Sequence, residues 1–226
     1  MKEYRECYIA FLDLLGFKNM INNRSCEEIL EVYQKIKIHL KKIVRNGEEL
    51  CNTEKLNMKI MSDSICFYID VKEENAFLAL ISECIMFQKE LLTMESPVLV
   101  RGAIVKGNIY AEEDITFGKG LTEAYLLEEK NAKVPRIIML GDTIDDGLKG
   151  CIEQSKEVTK EMVFRDFDFY YSVDYIGFMY RSEKEPKEDG KNAKKYVESV
   201  LNKEKDSSVR EKYLYLKDRL DYYYSE

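Results

Sequence analysis

No apolar stretch in this sequence approaches the roughly 18 residues that a membrane-spanning helix needs. Proline occurs three times and glycine eleven times in 226 residues, so the chain is not low-complexity. No stretch rich in proline, glycine and serine divides it in half. The six cysteines form no C-x-x-C pair and no His/Cys cluster with zinc spacing. Cys66 and Cys84 lie in apolar patterns and read as reduced core residues. The one histidine, His39, falls on the polar side of a helical pattern, so no catalytic triad is expected. Positive charge is outweighed: 35 Lys and Arg stand against 42 Asp and Glu, for a net charge of −7. Nucleic acid and anionic membranes both demand a positive field, so neither is an expected partner. The opening residues show no secretory leader. A soluble protein of the reducing cytoplasm is the expectation.

What is there is a chain 45% hydrophobic and 34% charged, enough for one buried core and a terminal extension. Tyr8 to Leu12 is a short apolar run ending at Asp13, which predicts a buried central strand. A turn at Leu14-Leu15-Gly16-Phe17 follows. Ser25 and Glu28 have capping-box spacing. Apolar residues at Ile29, Tyr33, Ile36, Leu40 and Ile43 then predict a helix that stops near Asn46-Gly47. Leu56–Met61 and Ile65–Ile69 flank the tight break Ser62-Asp63-Ser64, which predicts a hairpin. A helix over 74–94, a strand over 98–105, a helix over 121–131 and a strand over 137–140 complete the pattern. The order strand, helix, hairpin, helix, strand is the ferredoxin-like βαββαβ arrangement. The fold class is therefore α/β (α+β) with a helical C-terminal extension. Residues 169–180, rich in aromatic and β-branched types, predict a late strand or hairpin. Residues 181–191 read as a charged connector, and 192–224 as helix with a break near Asp206. Domain bounds of 1–180 and 181–226 follow.

Asp13 ends the first strand and Asp63 sits in the hairpin turn. In this topology the hairpin lies beside the first strand, so both carboxylates reach one edge. Two close carboxylates repel unless a cation neutralises them. Mg²⁺ and Mn²⁺ prefer such oxygen ligands. Taken singly, each Asp also suits an ordinary turn.

Phe11-Leu12-Asp13-Leu14-Leu15-Gly16-Phe17 resembles the F-x-D-h-x-G-F strand and turn of class III adenylate and guanylate cyclases. Lys59 to Ser64 resembles their second metal hairpin, usually K/E-x-x-G-D. Val100 to Gly107 is similar to their R-x-G-I-x-x-G strand, and Phe117 to Ala124 to their F/W-G-x-x-V-N-x-A turn and helix. The four motifs keep the family's order and cover about Tyr8 to Glu129. No such match extends beyond about Leu140.

The resemblance implies a cyclase or palm core that converts a nucleoside triphosphate to a 3′,5′-cyclic nucleotide and pyrophosphate. It implies two Mg²⁺ or Mn²⁺ ions bridged by Asp13 and Asp63, with the Leu14 carbonyl as a further ligand. Lys59 stands at the base-reading position, Gly16 and Phe17 in the first turn are implied substrate-binding residues with it, and Asp114 lies one residue off the second base-reading position. Gly118 opens a helix whose N–H groups suit phosphate, or makes a plain turn. Thr122 occupies the place of the family's catalytic Asn, and Leu126 that of its Arg. Thr donates a hydrogen bond, but Leu cannot replace a guanidinium. Arg136, Lys119 and Lys133 are the nearby cations, each also readable as an ordinary residue. Arg101 reads as a partner for an internal carboxylate.

Class III sites form between two subunits, so a homodimer is implied. A short cyclase without a sensor region fits bacterial antiphage signalling, where Pycsar-type pyrimidine cyclases resemble this family. Two other readings stay open: a palm-type cyclic oligonucleotide synthase, and a degenerate cyclase that binds a nucleotide or a partner. The aromatic residues Phe164, Phe167, Phe169, Tyr170 and Tyr171 read as core, because Asp166, Asp168 and Asp174 among them disfavour RNA. Tyr222 to Tyr224 read as ordinary helix packing.

Overall fold

The computed structural model describes residues 2–36, 42–45, 48–112, 115–184 and 187–225, with side chains for all of these except 36, 42–45 and 48–52. The uncharged run Tyr8 to Leu12 forms the middle of β1 (Arg5–Leu14), where every residue is buried. Helices α1 (Phe17–Asn23) and α2 (Cys26–Ile36) follow. The capping box holds: Glu28 Oε2 accepts from the Ser25 N–H at 2.7 Å, and the Glu28 N–H donates to Ser25 Oγ at 3.2 Å. Next, β2 (Lys42–Arg45) and β3 (Glu48–Asn52) form a small separate hairpin. Here the predicted helix is corrected, because Ile43 pairs with Cys51 as strand. Ile43 and Val44 are β-branched, and an apolar period shared by helix and strand misassigned them. Leu40, Asn46, Gly47, His39 and Asp114 lie outside the described residues.

The predicted hairpin is β4 (Asn57–Met61) and β5 (Ser64–Asp70). Then come α3 (Ala76–Leu92), β6 (Val100–Ala111), β7 (Thr116–Phe117), α4 (Lys119–Asn131) and β8 (Ile137–Met139). The chain continues through α5 (Gly141–Lys149), α6 (Glu153–Glu161), β9 (Val163–Arg165) and β10 (Tyr171–Val173). It closes with α7 (Tyr175–Ser182), α8 (Glu188–Leu201) and α9 (Ser207–Tyr224).

The main sheet runs β4-β5-β1-β6-β8-β10-β9, with β7 paired to β6. Its first four strands have β1 in the middle, antiparallel to both β5 and β6. That is the ferredoxin-like order, and the fold is α+β with a palm-type sheet. Helix α4 carries the crossover from β6 to its parallel neighbour β8. The cluster holding α3 buries one face of β1 through Tyr8, Ala10 and Leu12. The cluster holding α4 buries the other through Cys7, Ile9 and Phe11.

Cys66 and Cys84 are fully buried, and burial pushes the Cys66 thiol up to about 12. Among the described residues no helix is long and apolar enough to cross a membrane.

Two late predictions are corrected. Of residues 169–180, 171–173 are strand and those from Tyr175 onward are helix. Asp174 caps that helix by accepting the Gly177 N–H at 3.1 Å, and its buried face overrides the strand propensity of its aromatics. Phe167 and Phe169 are not core but 77% and 72% exposed. Their neighbours Asp166 and Asp168 both turn inward to the buried Arg136, which leaves the two rings at the surface of the β9–β10 turn.

Candidate active site

Strand register places Asp13 beside the hairpin turn that carries Asp63. Asp13 lies opposite Ser64 on β5 and opposite Arg101 on β6. The Leu14 N–H donates to the main-chain oxygen of Asp63 at 3.0 Å, so the hairpin turn is tied to the end of β1. Ser62 stands where the resemblance calls for glycine, and its backbone keeps the left-handed conformation with φ 58. Such a φ is costly for serine. The Tyr33 hydroxyl donates to Ser62 O at 2.6 Å, clipping α2 onto the turn. Burial, then the nearby Asp63, raises the Tyr33 pKa.

Asp13 is held by Arg101, whose Nε–H donates to Asp13 Oδ2 at 2.9 Å. Arg101 Nε also lies 2.8 Å from Glu128 Oε1, and its Nη1 donates to Ala132 O at 3.3 Å. Arg101 thus pairs with internal carboxylates, as its sequence position suggested. Burial pushes the Glu128 carboxyl up to about 7, against the pull of Arg101 and with a push from Asp13. Neither Glu128 nor Tyr33 was legible as a site residue. A glutamate late in a helix reads as solvent-facing, and a tyrosine at apolar spacing reads as core.

The remaining expected residues are more scattered. Gly16, with φ 78, precedes α1, and Phe17 starts that helix with its ring against Tyr33. Lys59 is half-buried on β4 and donates to Glu112 O at 2.8 Å. Gly118, with φ 151, sits so close to β6 that a Cβ would meet Asn108 O at 2.4 Å. A Cβ on Gly120 would meet Ile9 Cδ1 at 2.5 Å. Having no Cβ, these glycines let α4 start flush against the sheet. Thr122 is exposed, and its hydroxyl donates to Gly118 O at 3.3 Å within its own helix. Leu126 is 37% exposed on the outer side of α4.

None of the three nearby cations is idle. Arg136 is buried and bound by Asp166 and Asp168. Lys119 pairs with Glu123, and Lys133 donates to Glu129 O.

Among the described residues no group of three or more His, Cys, Asp and Glu side chains is placed to hold a metal ion. A pair of carboxylates nevertheless suits Mg²⁺, which keeps several waters and binds through one or two carboxylates plus phosphates. Neither Asp13 Oδ1 nor the Asp63 carboxylate takes a hydrogen bond from a described residue. The donor set therefore fits such an ion.

No family profile matches the chain, and no curated protein sequence matches it either. Solved structures do. It is similar to the adenylyl cyclase CyaB of P. aeruginosa at 12% identity and TM-score 0.46, over 76% of this chain and 94% of that one. It is also similar to the guanylyl cyclase domain of the RhoGC fusion protein of the aquatic fungus Blastocladiella emersonii, at 11% identity and TM-score 0.49, over 75% and 95%. A third is the adenylate/guanylate cyclase/hydrolase of Silicibacter pomeroyi, at 15% identity and TM-score 0.47, over 76% and 95%. What the sheet edge does chemically follows from its own side chains rather than from that likeness.

Proposed function

We propose that this chain binds a nucleoside triphosphate with Mg²⁺ or Mn²⁺ and closes it to a 3′,5′-cyclic nucleotide, releasing pyrophosphate. The observation that carries the reading is the register that sets Asp13 on β1 beside the Asp63 turn. Asp13, Asp63 and the Leu14 carbonyl would hold two ions, which when bound neutralise phosphate charge and acidify the ribose 3′-hydroxyl. The protein contributes position and fixed charge. Lys59 offers an ammonium donor to a base edge. Gly16, Phe17 and Gly118 are the backbone positions offered to the triphosphate. Thr122 must release Gly118 O before its hydroxyl can donate to a phosphate oxygen.

Tyr125 and Leu126 place two large apolar side chains, 43% and 37% exposed, among the polar residues Thr122, Glu123 and Glu129 on the outer side of α4. This supports a homodimer in which a second copy completes the pocket. The reducing cytoplasm and antiphage signalling are the proposed setting.

One observation favours a second reading, a nucleotide-binding module without turnover. The Thr122 hydroxyl is spent inside its helix, and Leu126 offers no charge to a transition state.

The test is incubation of the purified protein with each of the four triphosphates and Mn²⁺, with products read by mass spectrometry. A cyclic mononucleotide and pyrophosphate are expected from at least one. Asp13→Ala and Asp63→Ala should each slow turnover by about 10²-fold or more. A dinucleotide or longer product would identify an oligonucleotide synthase. Triphosphate binding without pyrophosphate, at high protein concentration, would leave the binding module.

A further inference from the structure

Arg101 stands between two carboxylates with one hydrogen to give from Nε. Its Nε is 2.9 Å from Asp13 Oδ2 and 2.8 Å from Glu128 Oε1. The N–H is aimed at Asp13. Glu128 Oε1 is buried and takes no hydrogen bond at all. The Glu128 side chain is only 3% exposed, so bulk water does not satisfy that oxygen. A buried acceptor within reach of a donor but unbonded is costly, and this one faces the Asp13 site.

We propose that Glu128 is the alternative seat for Arg101: when a divalent cation settles on Asp13, the Nε–H passes from Asp13 Oδ2 to Glu128 Oε1. The inference rests on the metal site proposed above. A divalent cation repels the guanidinium beside it and competes for the same carboxylate oxygens. Arg101 then needs another anion, and one already lies in contact. The exchange redirects one N–H over atoms that are already neighbours, while Nη1 stays on Ala132 O. No proton is transferred and no covalent bond changes. Asp13 gains an oxygen for the cation, Glu128 gains its missing hydrogen bond, and Arg101 keeps a charged partner. Glu128 is a positioning residue in this scheme, acting on Asp13 only through Arg101. Without its carboxylate, Arg101 remains on Asp13 and competes with the ion.

Mn²⁺ affinity, measured calorimetrically without nucleotide on the full chain at about pH 8, where Glu128 is ionised, tests this. Glu128→Gln is expected to weaken Mn²⁺ binding about tenfold or more, as loss of a group supporting a metal ligand does. Glu128→Asp keeps the charge but withdraws the oxygen by one methylene, and is expected to weaken binding similarly. In an Arg101→Gln background the Glu128→Gln change should alter affinity by less than about twofold, because the route through Arg101 is gone. Equal losses in both backgrounds would show direct electrostatics and overturn the exchange. Wild-type affinity in Glu128→Asp would overturn it as well. Asp13→Ala separates the two layers. If it binds Mn²⁺ as wild type does, the metal site itself fails and the exchange with it. If it loses Mn²⁺ while Glu128→Gln does not, the exchange alone fails.

Discussion

Glu128 couples the charge at the sheet edge to acidity. Its folded carboxyl titrates at about 7, above the ordinary value of 4.5, mainly because α4 buries it. Between those two values the folded chain keeps a proton that the unfolded chain has lost. Stability from this group therefore falls as pH rises through that window. In metal-free buffer, the melting temperature of wild type should drop relative to Glu128→Gln between about pH 4.5 and 7. Parallel melting curves for the two proteins would contradict it. The places of Asp13 near the end of β1 and of Asp63 in the β4–β5 turn were legible because each ends or interrupts an apolar run. Glu128 was not, since its burial depends on how closely α4 approaches the sheet at Gly118 and Gly120. That approach is a tertiary fact.

Among the elements, the β4–β5 turn holds a local cost. Ser62 keeps a left-handed φ of 58 and is braced by the Tyr33 hydroxyl. Ser62→Gly should stabilise the protein by about 0.5–1 kcal/mol, the relief of φ strain being partly cancelled by glycine's greater freedom when unfolded. Chemical denaturation reads this directly, and a lower midpoint would show that the serine side chain matters more than its backbone. The strands β1, β4, β5 and β6 were readable because their apolar runs are bounded by turn residues. Helix α7 was misread because Tyr175, Ile176, Phe178 and Tyr180 carry strand propensity, while its start is fixed by the Asp174 cap. Helices α5 and α6 went unseen. α5 spans Gly141 and Gly147 and ends at Gly150, residues that read as breakers.

For the whole molecule, the C-terminal helix is built into the core rather than appended to it. Leu216, Leu220 and Tyr224 lie in the same buried cluster as α3. Asp174, 4% exposed, receives Arg219 and the Tyr223 hydroxyl, each at 2.8 Å, with Arg181 at 3.4 Å. Tyr215 reaches Asp166, the partner of Arg136, at 2.7 Å. Asp174→Ala removes a cap and takes the carboxylate from the largely buried Arg219, so a loss of about 3 kcal/mol or more is expected. Glu211→Ala, at an exposed position of α9, should stay within about 0.5 kcal/mol. Thermal melts of the two variants check the contrast, and a small loss in Asp174→Ala would mean that α9 is held by its apolar face alone.

The central place of β1 bears on how the chain is made. Its two partners, β5 and β6, come much later in the chain, and β6 begins only at Val100. At about 5–20 residues per second, a ribosome needs on the order of ten seconds between finishing β1 and starting β6. Both edges of β1 are unpaired until β5 emerges, and the edge that β6 will cover stays open for the whole interval. A nascent chain of this design is exposed to aggregation early in synthesis and depends on being shielded until its second partner emerges.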